Sequence, residues 1–322
     1  MNCLCCGKPL SSEDENKCGW HKKCIKAFFG TSKLPEIEID EKVLEKIATE
    51  STGKGYTVPG VQKKLSLHLF SENGISRLTV VNFPTGYILK PQVDDFIALP
   101  ESEQLVMSMA DLTGIETVPH ALIKGKTGYA YITKRVDRIF NKKNVEMLGM
   151  EDFCQLDLRL TQDKYKGSYE RCANVIERYS SNIGLNMAEF YMRVIFCFVT
   201  GNSDMHLKNF SLIETQPGSS KYKLSPAYDL VPVNVIMPED TEEVALALNG
   251  KKNNLRRKDF LLFADNCNLN RKSAEKMIDK VISLKDKYIK ICNDSLIPND
   301  LKQSFVTLIE KRCERLKGNN AG

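Results

Sequence analysis

Long apolar runs are missing from this chain of 322 residues. None approaches the ~20 consecutive apolar residues that cross a bilayer, so no membrane partner is expected. An excess of either charge is also missing. Lys and Arg number 46 against 41 Asp and Glu, a formal net charge of +5. A dedicated nucleic-acid binder is usually more basic, so no direct nucleic-acid contact is expected. Histidine occurs four times and tryptophan once. So few histidines, with no nucleophile elbow, give a Ser-His-Asp hydrolase no support. No G-x-G-x-x-G fingerprint joins a strand to a helix. Gly53-Lys54-Gly55 lacks the upstream glycine and following Ser or Thr of a Walker A loop. The first residues lack a basic stretch leading into an apolar one, so secretion is not expected.

What is present begins with cysteine. Of 11 cysteines, five (Cys3, Cys5, Cys6, Cys18 and Cys24) fall in the first 24 residues, and the rest are scattered singly through apolar segments. An odd, scattered set without a leader points to a reducing cytoplasm rather than a disulfide framework. Cys3-x2-Cys6, fourteen further residues, then His21-x2-Cys24 has the spacing of a closed structural zinc site made of two chelating pairs. Cys5 or Cys18 could stand in for one of these ligands.

The chain divides by character into three parts. Residues 1–30 form the Cys-rich, zinc-knuckle-like head. Residues 31–136 hold a helix over Glu41–Thr49, a glycine-rich stretch from Ser51 to Gly60, and a run of β-prone segments between 64 and 133. One helix interrupts these strands, from about Glu101 to Leu112, opened by Pro100 and closed by Gly114. Residues 137–322 are mainly helical. Asn186 is placed to cap a helix whose Phe190, Val194 and Phe198 recur every four residues, and a final helix starts near Asp300. The expected fold is α+β, with a strand-rich N-lobe, a helical C-lobe and a ligand cleft between them.

Chemistry concentrates after that apolar helix, in Gly201-Asn-Ser-Asp204-Met-His206-Leu-Lys208-Asn209-Phe-Ser. So many polar groups behind a buried helix are costly unless they are used. Asp204 and Asn209 are five apart, as are the catalytic Asp and the magnesium-binding Asn of kinase loops. Asp229 follows twenty residues later, after a short β-prone run, and supplies a second hard oxygen ligand for magnesium. Asp-x4-Asn alone recurs by chance; its company does not. Gly60-Val61-Gln62-Lys63-Lys64 opens a strand, Lys90 closes a later one, and Glu103 lies on the one helix of that region. A strand lysine paired with a helix glutamate is how kinases aim a cation at the ATP phosphates.

The blocks Val58–Leu65, Tyr87–Gln92, Lys134–Arg138, Glu151–Gln155, Gly201–Ser211 and Ser225–Asp229 together resemble, in order, the signatures of HipA-type toxin kinases, most of all the short HipT-type members. The resemblance implies a bilobal protein-kinase-like fold and a bacterial serine/threonine protein kinase of a toxin–antitoxin system, dependent on ATP and Mg2+. It implies an aminoacyl-tRNA synthetase as substrate, and as partners a helix-turn-helix antitoxin and a small HipS-like protein. Asp204 would be the catalytic base, with His206 and Lys208 beside it. Asn209 and Asp229 would hold magnesium, while Lys90, with Glu103, would hold phosphate. Gly60, Val61, Gln62 and Lys64 would form the nucleotide loop. Thr57 would be the autophosphorylation site, adding roughly −1.5 to −2 charge beside the ATP phosphates. Pro59 occupies a second such position and cannot be phosphorylated. Lys134 and Val136 stand where the family carries Glu and Phe at the adenine hinge, leaving backbone groups to make that contact. The alternative reading is a catalytically weak nucleotide-binding regulator that holds an antitoxin without phosphoryl transfer. A zinc-ribbon nucleic-acid binder using Lys251, Lys252 and Arg256–Lys258 is a weaker third.

Overall fold

The structure, a computed structural model, describes residues 1–37, 64–72, 75–79, 85–125, 128–140 and 145–317. The chain divides into two compact units: Met1–Gln104 with Val118–Val145, and Leu105–Thr117 with Glu146–Gly322.

The first unit is organised on a six-stranded sheet. Its strands are β1 (Glu36–Ile37), β2 (Leu65–Glu72), β3 (Ile75–Thr79), β4 (Tyr87–Pro91), β5 (His120–Lys124) and β6 (Tyr129–Lys134), in the spatial order β1-β3-β2-β4-β6-β5. The β1–β3 pair is parallel and the others are antiparallel. Leu65 and Leu67 share one buried face while Ser66 between them is exposed, as strand alternation requires. That alternation breaks at Leu89 and Lys90, consecutive and both buried, because β4 is covered on its two faces there. The helix Leu99–Thr113 follows, with Pro100 in its first turn, where the missing N–H costs nothing. In the head, α1 (Glu13–Cys18) is capped by Ser12 and ended by left-handed Gly19, and α2 (Lys22–Phe29) starts at His21.

The second unit is mainly helical. Its central helix, Ile183–Val199, is buried nearly all round, with Phe190, Tyr191, Ile195, Phe196, Cys197 and Phe198 at 0% exposure. Its cap is Asn182, whose side chain accepts from Leu185 N, and not Asn186 as the sequence suggested. The helix begins one turn earlier than the aromatic spacing indicated, and the added residues Ile183 and Leu185 are exposed. Asn186 therefore lies inside the helix, where its amide donates to Ser180 Oγ. Met150–Asp152, Ser211–Glu214 and Tyr222–Leu224 form a three-stranded antiparallel sheet with Ser211–Glu214 in the middle. Phe153, Tyr169, Phe190, Phe210 and Phe263 join these elements in an aromatic cluster, with Phe190 and Phe210 centroids 5.0 Å apart. The closing helix runs Asn299–Lys317. Among the described residues no helix is long and apolar enough to cross a membrane.

Gly201, two residues past the central helix, has φ +68, and a Cβ there would lie 3.1 Å from a Leu308 methyl. Gly201→Ala is expected to destabilise the fold by ~1–2 kcal/mol from the left-handed backbone alone. Crowding against Leu308 adds to this, and the fall is read as a lower midpoint in urea unfolding.

Candidate active site

The central helix delivers the chain directly into the polar loop. Thr200 Oγ1 donates back to Phe196 O, and Asn202 N to Cys197 O at 2.9 Å, so the turn after the helix is fixed by its own last carbonyls. Asn202 then accepts the backbone N–H of Asp204 at 3.2 Å. The Asn209 amide donates to Asp204 O at 2.9 Å, closing the loop across the five-residue spacing. With its nitrogen engaged in this way, the amide oxygen of Asn209 is the atom suited to a cation. Behind the loop, Phe210 enters the aromatic cluster and its carbonyl accepts Phe153 N at 2.9 Å. The loop is polar on one side and anchored by packing on the other.

Within it the groups differ sharply in exposure. The Asp204 carboxylate is 44% exposed while His206 is 6% exposed, and His206 Nε2 stands 4.0 Å from Asp204 Oδ1. His206 packs edge-on to Tyr165 with centroids 4.9 Å apart. The Tyr165 hydroxyl donates to Asp204 Oδ1. Burial, then the negative charge of Asp204, push the Tyr165 phenol well above its usual range, so it stays a protonated donor. Lys208 Nζ pairs with Asp152 Oδ2 at 2.8 Å, and Asp152 also caps the short helix Phe153–Leu156 in a capping box with Gln155.

Asp229 follows the Tyr222–Leu224 strand and is half-buried, with φ +60. A non-glycine residue in the left-handed region is uncommon and is held there only by its surroundings. The preceding Tyr228 supplies the hold. Its hydroxyl bonds Ser211 Oγ at 2.6 Å and donates to Lys208 O at 3.2 Å, tying the Asp229 segment to the Asp204 loop. Ala227 N donates to Glu116 O on the other side.

In the first unit the expected ion pair is formed. Lys90 Nζ lies 2.5 Å from Glu103 Oε1, with side-chain exposures of 4% and 0%, and sits 5.3 Å over the Tyr131 ring. Lys64 is exposed at the start of β2; Lys134, which ends β6, and Val136 just after it are half-buried. Thr57, Gly60, Val61 and Gln62 lie outside the described residues. The four expected zinc ligands converge: donor atoms of Cys3, Cys6, His21 and Cys24 all lie within 4.8 Å of one another. Cys6 Sγ and Cys24 Sγ are 3.4 Å and 3.8 Å from His21 Nδ1. A tetrahedral zinc with bonds of ~2.0–2.3 Å sets its donors about that far apart. His21 Nε2 faces Pro9 O at 2.9 Å, an outer hydrogen bond that leaves Nδ1 turned to the two thiols as the nitrogen suited to a metal. Cys18 turns its thiol to the carbonyls of Glu15 and Trp20 instead.

A family model described as HipA-like C-terminal domain matches residues 56–288, well over half the chain. The chain belongs to this HipA-like family. Over 293 residues, 82% of each chain, it is 27% identical to a Haemophilus influenzae protein named "Putative kinase". It is 31% identical over 199 residues to "Putative kinase Y4dM" of Sinorhizobium fredii, a match to 58% of this chain and 47% of that protein. The HipA-like chain thus spans about half the length of that relative. HipA of Shewanella oneidensis MR-1, solved with HipB and its operator DNA, superposes with a TM-score of 0.68 at 20% identity, covering 82% of this chain and 65% of that one. The Helicobacter pylori proinflammatory kinase CtkA gives 0.52 at 14% identity, covering 74% and 90%. At such identities the likeness is one of fold, and the α+β, protein-kinase-like class read from the sequence is the class observed. The cysteine head lies outside the span matched to the HipA-like family.

Sequence reasoning gave no role to Tyr165, Asn202 or Asp152. Asp152 carried a readable signal, the Asp-x-x-Gln capping box. Tyr165 carried none, because it meets Asp204 across 39 residues. Tyr165→Phe is expected to slow turnover about tenfold, ~1.4 kcal/mol, with the KM for ATP unchanged. Steady-state kinetics would check this split.

Proposed function

We propose that this protein is an ATP- and magnesium-dependent serine/threonine protein kinase, the toxin of a bacterial toxin–antitoxin system acting in the cytoplasm. The observation that carries the reading is the loop in which the accessible Asp204 carboxylate accepts the Tyr165 hydroxyl while the Asp204 backbone N–H and carbonyl are held by Asn202 and Asn209. A substrate hydroxyl oxygen attacks the γ-phosphorus of ATP, the bond from that phosphorus to the β,γ-bridging oxygen breaks, and ADP leaves with the electron pair. Asp204 takes the hydroxyl proton. Magnesium, when bound, neutralises phosphate charge, and Asn209 and Asp229 are the oxygen donors suited to hold it. Lys90, aimed by Glu103, takes phosphate oxygens. Lys208, held by Asp152, and His206 line the loop. Lys134 and Val136 offer backbone groups to adenine, and Gly60, Val61, Gln62 and Lys64 belong to the nucleotide loop, with Thr57 its autophosphorylation site. The reading includes a structural zinc on Cys3, Cys6, His21 and Cys24, a helix-turn-helix antitoxin, a small HipS-like partner and an aminoacyl-tRNA synthetase as substrate. Its support is membership of the HipA-like family and likeness to relatives named "Putative kinase", joined to this loop geometry.

The test is transfer of γ-labelled phosphate from ATP, with magnesium, to a protein in a bacterial extract. A labelled band that carries phosphoserine or phosphothreonine is expected. ATP binding without transfer to any protein would refute the kinase reading and mark a nucleotide-binding regulator.

A further inference from the structure

The head meets the sheet of its own unit at Tyr87 and at Leu122, and the contact at Leu122 bears on the whole unit. Leu122 lies in β5, the last strand in the sheet order among the described residues. An edge strand presents N–H and C=O groups with no neighbouring strand to pair them. Here the Leu122 N–H donates to Leu4 O at 2.9 Å, and its carbonyl accepts the Trp20 indole N–H at 3.1 Å. Leu4 directly follows Cys3, and Trp20 directly precedes His21. The two residues that grip the edge are therefore each covalently next to a member of the four-donor cluster. They are joined to each other by Leu4 N donating to Gly19 O at 2.9 Å and His21 N pointing at Cys3 Sγ at 3.4 Å.

A second strut leaves the same knuckle. Gln104 Nε2 donates to Cys5 O over a long 3.5 Å, and Gln104 Oε1 meets His120 Nδ1 at 2.8 Å. Gln104 is the helix residue next to Glu103, and His120 begins β5. On its own the head has little to hold it in shape. Its helices are 6 and 8 residues long, below the length at which isolated helices persist. Trp20 packs with Phe28 and Phe29, and these reach Tyr87 of β4, but this cluster leaves the Cys3–Cys6 turn outside it.

We propose that a zinc ion on Cys3, Cys6, His21 and Cys24 is a staple that closes the β5 edge of the sheet and steadies the helix start carrying Glu103. This rests on the zinc assignment of the preceding reading. The metal ties the turn bearing Leu4 and Cys5 to the segment bearing Trp20, so that the groups holding Leu122 and Gln104 become one rigid piece. Removing it frees the turn, and the β5 edge loses both hydrogen bonds at Leu122.

Trp20 is the chain's single tryptophan and is fully buried, so its emission reports on the head alone. The purified chain is expected to carry one zinc, read by elemental analysis, and to take up Co2+ with thiolate charge-transfer absorption. Chelation of the zinc in the full chain, under reducing conditions, is expected to shift Trp20 emission to the red. It should also speed amide exchange at Leu122 about tenfold, while exchange in the helix Ile183–Val199 stays unchanged. Cys18→Ser should retain the zinc, because Cys18 lies outside the cluster. Absence of both stoichiometric zinc and the Co2+ absorption overturns the metal and the staple together. Zinc that is bound but leaves Trp20 and Leu122 unchanged on removal overturns the staple alone. Equal loss of protection in Ile183–Val199 also overturns it, since the effect would then be general unfolding. None of these readouts involves nucleotide, so they stand apart from the phosphate-transfer test.

Discussion

Asp204→Asn is expected to lower phosphate transfer by roughly 10²–10⁴-fold, the range for losing a positioned general base. The substitution keeps the shape and keeps an oxygen to accept the Tyr165 hydroxyl. The backbone N–H of residue 204 still reaches Asn202, and its carbonyl still accepts the Asn209 amide. The loop geometry is therefore retained while the proton acceptor is lost. Stability should change little, because the replaced carboxylate is 44% exposed. The signature is a fall in kcat with an unchanged unfolding midpoint and unchanged ATP affinity. Full labelling by the variant would remove Asp204 from the mechanism.

Lys90→Met should act through the opposite combination. Lys90 and Glu103 are 4% and 0% exposed, so the pair is dry, and withdrawing its cation strands a carboxylate in a low-dielectric interior. Breaking a buried pair from one side costs ~3–5 kcal/mol. The variant should lose that much stability in denaturant unfolding and also lose affinity for ATP. Lys90→Met combined with Glu103→Gln should recover part of the stability, since no charge is then left behind, and none of the nucleotide affinity. Recovery of both would make Lys90 a purely structural cation.

These two residues also show what kind of information the sequence carried. Asp204 and Asn209 were legible because a single loop fixes their relation, and the Asn209 amide bridges that loop. The convergence of Cys3, Cys6, His21 and Cys24 was legible for the same reason, two short pairs at fixed spacing. Lys90 and Glu103 needed the order of strand and helix as well. Tyr165 on Asp204, Asp152 on Lys208 and Trp20 on Leu122 were not legible. They join positions 39, 56 and 102 residues apart, and only the folded chain brings such residues together. The misplaced cap has a local cause. Asn182 and Asn186 are both acceptable caps four residues apart; Asn182 accepts Leu185 N, whereas the buried Asn186 amide is turned to Ser180 Oγ.

Asp229 narrows the routes by which this chain can change over generations. Its φ of +60 suits glycine, asparagine and aspartate and penalises β-branched residues. Only aspartate among the three brings a full negative charge to that point. A lineage released from the need for that charge would be expected to drift to Asn or Gly there, with Tyr228 and its bonds to Ser211 and Lys208 conserved after the acid is gone. With Asp229 as the proposed magnesium donor, loss of the proposed chemistry would then be written in one position whose neighbours still look intact.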